Sequence, residues 1–291
     1  MKQTLTLLLC LGVLTFCVAQ KQKKPASFNS KTRASAKNKY LDKQWWLGFK
    51  AGTNFSQADP IKRYTVVTPT NQSASASDKT YDNFSKAGAQ ASLEVTFTYK
   101  GFSFSVQPTY RHSIFTYNNQ FEWVSTDNVN DHLILKYDQQ QNIDYADIPF
   151  IVKYEIIGDK LRPYVQVGIF YAHLLNATKT VTMSGTDFAS GGTNQFTNEG
   201  VIVGAKDLFD NYWGIIAGAG VYYNVGNVRL VLDASYHKGM SNIANVKNRF
   251  GNDRLSGIGD AQDDLKLNNV VISAGCVFPH RFLSSGFKSF E

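Results

Sequence analysis

Cysteines, which stabilise many exported proteins through disulfides, are scarce in this sequence, and so are long apolar segments, which form transmembrane helices. The chain has only three cysteines among its 291 residues, so it has little capacity for disulfides. Beyond residue 20, no apolar run reaches the length of about 18 residues that a membrane-spanning helix needs. We therefore expect no transmembrane helix in that part of the chain, and strands become the candidates for any passage through a membrane.

The first 19 residues have the features of a secretory signal peptide. Lys2 supplies the positive charge, Thr4–Phe16 is the apolar segment, and Cys17-Val18-Ala19 supplies small residues before a predicted cut after Ala19. A permanent membrane anchor is one alternative, but the apolar run is too short for it. A lipoprotein modified at Cys17 is another, although Phe16 is larger than the residue that normally precedes a lipidated cysteine.

Cleavage after Ala19 would leave Cys276 as the last cysteine, because Cys10 and Cys17 lie in the removed segment. An intramolecular disulfide is then excluded, so the exported chain must draw its stability from another source. A closed β-barrel is one such source. Cys276 itself is expected to face lipid as an inert, small apolar residue rather than to act as a nucleophile.

Positive charge is concentrated near the N-terminus. The part before residue 44 contains nine of the 30 basic residues but only one of the 23 acidic residues, Asp42. The whole chain has a formal charge of +7, whereas residues 44–291 have a formal charge of −1. The segment 20–43 lacks hydrophobic periodicity and is predicted to be a disordered, basic periplasmic linker. A tether for anionic headgroups, peptidoglycan or a partner protein is the alternative interpretation.

A sharp alternation of polarity lies in Tyr145–Glu155. Successive side chains of a strand point to opposite faces of the sheet. One face of this stretch carries Ala146, Ile148, Phe150, Val152 and Tyr154, and the other carries Asp147, Pro149, Ile151, Lys153 and Glu155. A transmembrane β-barrel repeats this pattern, because lipid surrounds its outer face and polar groups fill its interior.

Eight segments of the chain show a period of two and are predicted to be strands. They are Gln44–Phe55, Phe84–Tyr99, Phe102–Tyr117, Asn142–Ile156, Leu161–Leu174, Tyr212–Asn224, Val228–Met240 and Leu267–Pro279. The sequence also contains 15 Tyr and 20 Phe, which suit strands and the aromatic girdles of a barrel at the two membrane interfaces.

The predicted connections alternate between short and long. The short ones are glycine-containing turns at Lys100-Gly101, Ile157–Lys160 and Val225–Asn227, and the long ones are Ser56–Asn83, Asn118–Gln141, Leu175–Asn211 and Ser241–Lys266. Short periplasmic turns and long external loops are typical of outer-membrane barrels. The sequence thus predicts an all-β fold, an eight-stranded antiparallel up-and-down transmembrane β-barrel over residues 44–280 with four long external loops. The expected location is the bacterial outer membrane, with the C-terminal tail 281–291 in the periplasm.

Several motifs extend this interpretation. They are Asp147-Ile148-Pro149 with Lys153-Tyr154, Arg162-Pro163-Tyr164 with Gly168, Gly214–Gly220, Tyr236–Ile243 and Asn268–Phe278. Together they resemble the PorT-like outer-membrane β-barrel proteins, and the similarity extends over residues 44–280. The resemblance implies an outer-membrane barrel without catalytic residues, and named members of that family are linked to a type IX protein secretion pathway.

Eight charged residues are predicted to point into the barrel. They are Lys50, Glu94, Arg111, Asp147, Lys153, Glu155, Arg229 and Asp233. Four are basic and four are acidic, and a buried charge must be paired because burying it alone is costly. Eight strands also leave an interior only wide enough for side chains. We therefore predict a structural network of ion pairs that plugs the lumen. A charged channel is the alternative.

No catalytic or metal site is predicted. Asp233, Ser235 and His237 share one face of the seventh strand, but residues two apart lie ~6.6–6.8 Å apart along a strand. This spacing predicts that Ser235 and His237 do not form the hydrogen bond of a nucleophilic triad. The remaining histidines, His112, His132, His173 and His280, lack metal-ligand spacing. The chain has no phosphate-binding loop, and we predict no cofactor.

The expected function is that of a non-catalytic integral outer-membrane barrel that serves as a scaffold or accessory subunit of a cell-envelope assembly. The resemblance points to protein secretion. The alternative is a small transport pore, or a surface receptor that uses the external loops, since loops on rigid scaffolds commonly carry binding sites. The expected partners are outer-membrane lipid and cell-envelope proteins. Nucleic acid is not expected, because the basic segment lacks interleaved aromatic residues, and no small-molecule substrate is indicated.

Overall fold

The computed structural model describes residues 43–64, 79–128, 130–156, 158, 160–190, 192–226, 228–250 and 260–280. The predicted signal peptide, the tail 281–291 and the linker 20–43 apart from Lys43 lie outside the described residues. Within these ranges the chain consists mainly of strands, with two short 3₁₀ helices, Lys206–Leu208 and Val246–Asn248. None of the helices described there is long and apolar enough to cross a membrane.

Twelve strands form one antiparallel sheet. They are β1 (Lys43–Lys62), β2 (Thr80–Tyr81), β3 (Ala87–Tyr99), β4 (Phe102–Val106), β5 (Thr109–Val124), β6 (His132–Glu155), β7 (Leu161–Asp187), β8 (Asn194–Thr197), β9 (Val201–Gly204), β10 (Tyr212–Val225), β11 (Val228–Gly239) and β12 (Asp264–Pro279). The prediction of an all-β antiparallel fold is confirmed.

The strand pairings close into a ring with eight positions. From β1 the order runs through β3, then β4 and β5 in one position, then β6, β7, β10, β11 and β12, which pairs with β1 again. The two-residue strand β2 pairs with β5, while β8 and β9 pair with β7 outside the ring. We call the end with the short connections the turn end and the opposite end the loop end.

Two prolines explain why β4 and β5 are separate strands. Pro108 has no N–H to donate, and neither does Pro149 on the neighbouring strand β6. The amide of Gln107 donates to the carbonyl oxygen of Pro149 at 3.1 Å, but Pro149 cannot return a bond. The hydroxyl of Thr109 donates to the carbonyl oxygen of Gln107 instead, at 2.7 Å. The register with β6 is therefore kept across the interruption.

The outer face near the turn end is a band of exposed apolar side chains bounded by two aromatic rows. The turn-end row contains Trp45, Tyr99, Phe102, Tyr154 and Tyr223, and the loop-end row contains Tyr110, Tyr171, Trp213 and Tyr236. Along β10 the two rows lie ten positions apart, from Trp213 to Tyr223. Such a segment, tilted by about 45°, is about 24 Å high, which matches the lipid-facing band of about 25 Å in outer-membrane barrels.

Beyond the loop-end aromatic row, the polarity of the strands reverses. In β5, Phe115, Tyr117 and Phe121 are buried inside, whereas Asn118 and Gln120 lie on the outer face. The inward side chains form the main hydrophobic core of the molecule together with residues of β6, β7 and β10. We expect water to surround this part of the strands, because a sheet in water has a polar outer face and an apolar inner face.

Strand lengths differ from the prediction at the loop end. The segment 118–141, expected to be a loop, is mostly strand, since β5 ends at Val124 and β6 begins at His132. β7 continues to Asp187 within the expected loop 175–211, which also holds β8 and β9. The predicted ends were wrong because the prediction required an apolar outer face, and that requirement applies only within lipid.

The orientation of the ring gives a labelling prediction. An epitope inserted between Thr126 and Asp127, in the connection of β5 to β6, should bind antibody on intact cells, because the long end of an outer-membrane barrel faces outwards. An epitope inserted after Gly158 should bind antibody only after the outer membrane is permeabilised. Immunofluorescence on intact and permeabilised cells makes the comparison, and labelling of the second site alone on intact cells would reverse the orientation.

Candidate functional site

The centre of the lumen contains two buried lysines between two buried acids. Lys153 Nζ lies 2.6 Å from Glu94 Oε1 and 3.0 Å from the hydroxyl of Tyr222. Lys50 Nζ lies 2.9 Å from Asp233 Oδ2 and 3.5 Å from Glu94 Oε2. Inward positions of four different strands bring these groups together, so each charge has an opposite charge within contact distance.

A second group lies nearer the turn end, around Glu155. Arg229 Nη1 lies 3.2 Å from Glu155 Oε1, and Arg162 Nη1 lies 3.4 Å from Glu155 Oε2. The guanidinium of Arg229 also stacks over Trp46, with 4.0 Å between the guanidinium carbon and the ring centre. Arg162 was missed by the sequence analysis, although it shares the inward parity of Tyr164 on β7.

Arg111 and Asp147 form the third group, closer to the loop end. Arg111 Nη1 lies 3.0 Å from Asp147 Oδ2, and the guanidinium also bonds to the hydroxyl of Tyr212. The ring centre of Phe170 lies 5.6 Å from the guanidinium carbon. All eight charged residues predicted for the lumen are thus buried, at 5% exposure or less, and each lies in an ion pair.

Aromatic side chains occupy the remaining space, and glycines on the facing strands admit them. Tyr164 and Tyr222 stack with their ring centres 4.5 Å apart. A Cβ atom at Gly220 would lie 2.5 Å from the hydroxyl of Tyr164, and one at Gly214 would lie 2.5 Å from the ring of Phe170. Alanine at either position would therefore displace a buried ring, so these glycines make room for inward aromatic residues.

The lumen retains little free volume among its described residues. A cavity of about 20 Å³ lies between Lys50, Gln107, Asp147 and His237. That is about the space that a single water molecule requires. The charged groups around this cavity therefore lie mainly against one another, with room for about one water molecule between them.

Ser235 and His237 correct one sequence-based expectation. Ser235 Oγ lies 3.1 Å from His237 Nε2, so the two side chains do form the hydrogen bond that backbone spacing alone seemed to exclude. The side chains lean toward each other along the strand, which backbone spacing does not capture. The other ring nitrogen, Nδ1, lies 3.5 Å from Arg111 Nη1 rather than against a carboxylate. Asp233 bonds instead to Lys50, Tyr164 and Ser273, so the arrangement lacks the acid that orients a triad histidine.

A further charged cluster, at the loop end, was not anticipated. Lys79 Nζ lies 2.9 Å from Asp260 Oδ1 and 3.0 Å from Asp263 Oδ1, and Lys179 also pairs with Asp260. Burial acts to raise the pKa of Asp260, but the charges of Lys179 and Lys79 hold it at about 2. The cluster ties two connecting segments to β7. All four of its members fall in predicted loops, where periodicity gives no signal for inward or outward placement.

Other reactive side chains offer no further site in the described part of the chain. No group of three or more His, Cys, Asp or Glu residues there could hold a metal ion. Cys276 has the outward register of its neighbours Phe49 and Leu230, but it is only 5% exposed. Its outward register agrees with the expectation that it faces lipid, but its low exposure leaves it little surface to contact lipid.

A closed antiparallel ring with a lipid-facing apolar band, two aromatic girdles and a polar interior defines an integral β-barrel protein of the outer membrane. The chain belongs to the family described as outer membrane protein beta-barrel domain, whose model matches residues 19–245. The predicted location in the outer membrane is confirmed at this level. No curated protein matches the sequence significantly.

Solved structures similar to this chain are also outer-membrane proteins. Neisserial surface protein A is 13% identical, covering 80% of this chain and 96% of its own, with a TM-score of 0.31. Outer membrane protein W of E. coli is 11% identical, covering 82% and 99%, with a TM-score of 0.34. The outer membrane protease OmpT of Escherichia coli is 11% identical, covering 81% and 95%, with a TM-score of 0.28. Similarities of this size carry no functional argument.

Proposed function

We propose that the protein is a non-catalytic scaffold or accessory subunit of a cell-envelope assembly. The observation that carries this proposal is the packing of the lumen, in which ion pairs and stacked aromatic rings surround a cavity of about 20 Å³. A barrel without an open interior has only its ends and its outer wall available for function. The mixed signs of the paired charges also favour a structural network over a selective channel, which would need a ring of one sign.

The resemblance to PorT-like proteins makes protein secretion the cell-envelope process that we propose. It rests on the motifs of β6 and β11, Asp147-Ile148-Pro149 and Tyr236–Ile243, of which the former contributes Asp147 to the lumen network. We also propose the arrangement of a signal peptide at 1–19, a basic periplasmic linker at 20–43, the barrel at 44–280 and a periplasmic tail at 281–291. In this arrangement the linker and the tail are both available to periplasmic partners.

The scaffold role predicts that the barrel does not conduct ions. In planar bilayers the purified protein should give no steady current above that of a detergent control, because the lumen side chains block the path at several heights. The heat-modified gel migration of the same preparation serves as the control that the barrel is folded. A steady, ion-selective current from folded protein would contradict the scaffold role and favour the transport pore.

The scaffold role also predicts a protein partner. Cross-linking in intact outer membranes followed by purification should recover a cell-envelope protein in near-stoichiometric amount. Deleting residues 21–39 should leave the barrel folded and should weaken the association, most strongly at low salt. The reason is that the deletion removes seven of the eight basic residues in segment 20–43, which attract anionic surfaces over about one Debye length, ~8 Å at physiological salt. Recovery of lipid alone from both forms would contradict the proposal.

A further inference from the structure

A polar cavity of about 280 Å³ lies on the outer side of the barrel, just beyond the loop-end aromatic row. We call it the rim pocket, and its polar lining consists of His173, Lys206, Asp207, Asp210, Asn211, Asn245 and Asn248. His173 lies two positions after Tyr171 on β7. On the neighbouring strand β10, Trp213 pairs with Tyr171. Because Tyr171 and Trp213 belong to the aromatic row, the pocket lies at the level of the outer headgroups.

The rim pocket is built by two connecting segments that hold each other. The amide of Asp210 donates to the carbonyl oxygen of Ile243 at 2.8 Å. The amide of Asn245 donates to the carbonyl oxygen of Leu208 at 2.9 Å. The side chain of Asn248 donates to the carbonyl oxygen of Asp207 at 3.1 Å. A pocket fixed in this way is largely preformed, so a ligand would lose little affinity to the ordering of loops.

The functional groups of the rim pocket suit a neutral ligand rich in hydroxyls. Lys206 is the one lysine or arginine in the lining, against the two carboxylates of Asp207 and Asp210, so the pocket has no excess of positive charge. Within the described part of the chain, the two carboxylates form no ion pair and accept no bond from another side chain. Amide, carboxylate and ammonium groups together can donate to and accept from hydroxyls. A phosphate would instead require an excess of positive charge, and a divalent cation would require converging carboxylates.

Two apolar side chains also belong to the lining of the rim pocket. Phe209 and Leu174 line it and are otherwise buried in the core at the loop end. A sugar ring combines hydroxyls with apolar C–H groups, so it fits a lining that is mainly polar and includes a small apolar part. A cavity of about 280 Å³ is close to the lower limit of small-ligand pockets, which start at ~300 Å³.

We infer that the rim pocket binds a saccharide, namely the headgroup sugar of a glycolipid in the outer leaflet that surrounds the barrel. Its position next to the aromatic row favours this source over a soluble glycan, because a headgroup sugar is delivered to this height by its own acyl chains. Asp207 and Asp210 accept hydrogen bonds from the sugar hydroxyls, and Asn245 and Asn248 complete the set. This role does not depend on a scaffold function.

Binding can be measured with the full mature protein in lipid nanodiscs. Rough-type lipopolysaccharide and its lipid-free core oligosaccharide are the two probes, titrated by calorimetry. We expect Asp207→Ala combined with Asp210→Ala to weaken the binding of lipopolysaccharide by about tenfold or more, because each carboxylate loses charged hydrogen bonds. Glu122→Ala, an exposed carboxylate on β5 away from the pocket, should bind like the wild type. If the free oligosaccharide also binds, the pocket recognises the sugar without its lipid. If only lipopolysaccharide binds, the pocket recognises the sugar as a headgroup held in the membrane.

Two results would overturn the inference. One is equal affinity of the wild type and the double variant for lipopolysaccharide. The other is displacement of lipopolysaccharide by millimolar inorganic phosphate, which would mean that the pocket recognises the anionic groups of the probe. If the double variant does not show heat-modified migration, Asp210→Asn replaces it, since this change keeps the size of the side chain and removes its charge. An affinity of that folded variant equal to the wild type would also contradict the inference.

Discussion

Lys153→Met should lower the free energy of unfolding by roughly 3 kcal/mol, because it leaves a carboxylate buried without its main partner. Lys153 is fully buried, and its Nζ lies 2.6 Å from Glu94 Oε1. After the substitution, Glu94 would keep a hydrogen bond from the hydroxyl of Thr96 at 2.8 Å and the more distant charge of Lys50, whose Nζ is 3.5 Å from the other carboxylate oxygen. Methionine preserves most of the side-chain volume, so the loss reports the charge rather than a cavity. Urea titration of the barrel in lipid vesicles measures the difference.

The rescue pattern tests the pairing itself. Glu94→Gln in the Lys153→Met background should recover a large part of the lost stability, because it removes the orphaned charge. Asp147→Asn in the same background should not, because Asp147 pairs with Arg111 at 3.0 Å and lies in another group. Equal rescue by both substitutions, or by neither, would mean that the lumen charges act as a diffuse field rather than as the specific pairs described.

Phe150→Arg should lower stability by ~2–4 kcal/mol in a bilayer, since it places a charge on the lipid-facing surface near mid-height. Phe150 is 53% exposed on the outer face of β6 and lies midway between Tyr154 in the turn-end aromatic row and Ala146. Its neighbours across the sheet are Val106 and Ile169, which offer the guanidinium no partner. Refolding yield and urea stability in vesicles measure the cost.

A matched change on the same strand separates lipid exposure from general intolerance. Gln140→Arg also introduces an outward arginine on β6, but beyond the loop-end aromatic row, where the outer face is polar. It should change stability by less than about 1 kcal/mol, as surface substitutions usually do. A cost for Gln140→Arg equal to that for Phe150→Arg would mean that the apolar band extends further than the aromatic rows indicate.

The lumen residues could be identified from the sequence because parity fixes which face of a strand a residue occupies. Once Ile148, Phe150 and Val152 are assigned to lipid, Asp147 and Lys153 must point inward, and the same argument holds for Glu94 on β3. Parity cannot say which acid pairs with which base. That depends on the stagger between strands several positions apart in the ring, and no local pattern in the sequence records it.

The alternation of side chains along a strand could not predict the charged cluster and the rim pocket at the loop end. The cluster of Lys79, Lys179, Asp260 and Asp263 and the rim pocket are both assembled largely from predicted connecting segments, whose positions follow from closure of the whole ring. The extension of β5 and β6 was missed because its polarity is reversed relative to the lipid-facing part. A search for apolar-inward alternation beyond the aromatic residues Tyr110 and Tyr145 would have found it, since Phe115, Tyr117 and Ile143 follow a period of two.

The pairing of β1 with β12 has a consequence for how the protein is made. The first and last strands of the ring come from opposite ends of the chain, from Trp46 with Pro279 to Lys62 with Asp264. Until the last residues of β12 are delivered, two rows of backbone amides and carbonyls lack partners, a state that hydrocarbon does not tolerate. A nascent or prematurely terminated chain therefore cannot settle in the bilayer as a smaller barrel. We therefore expect a chain that ends before β12 to be excluded from the bilayer, because its ring cannot close.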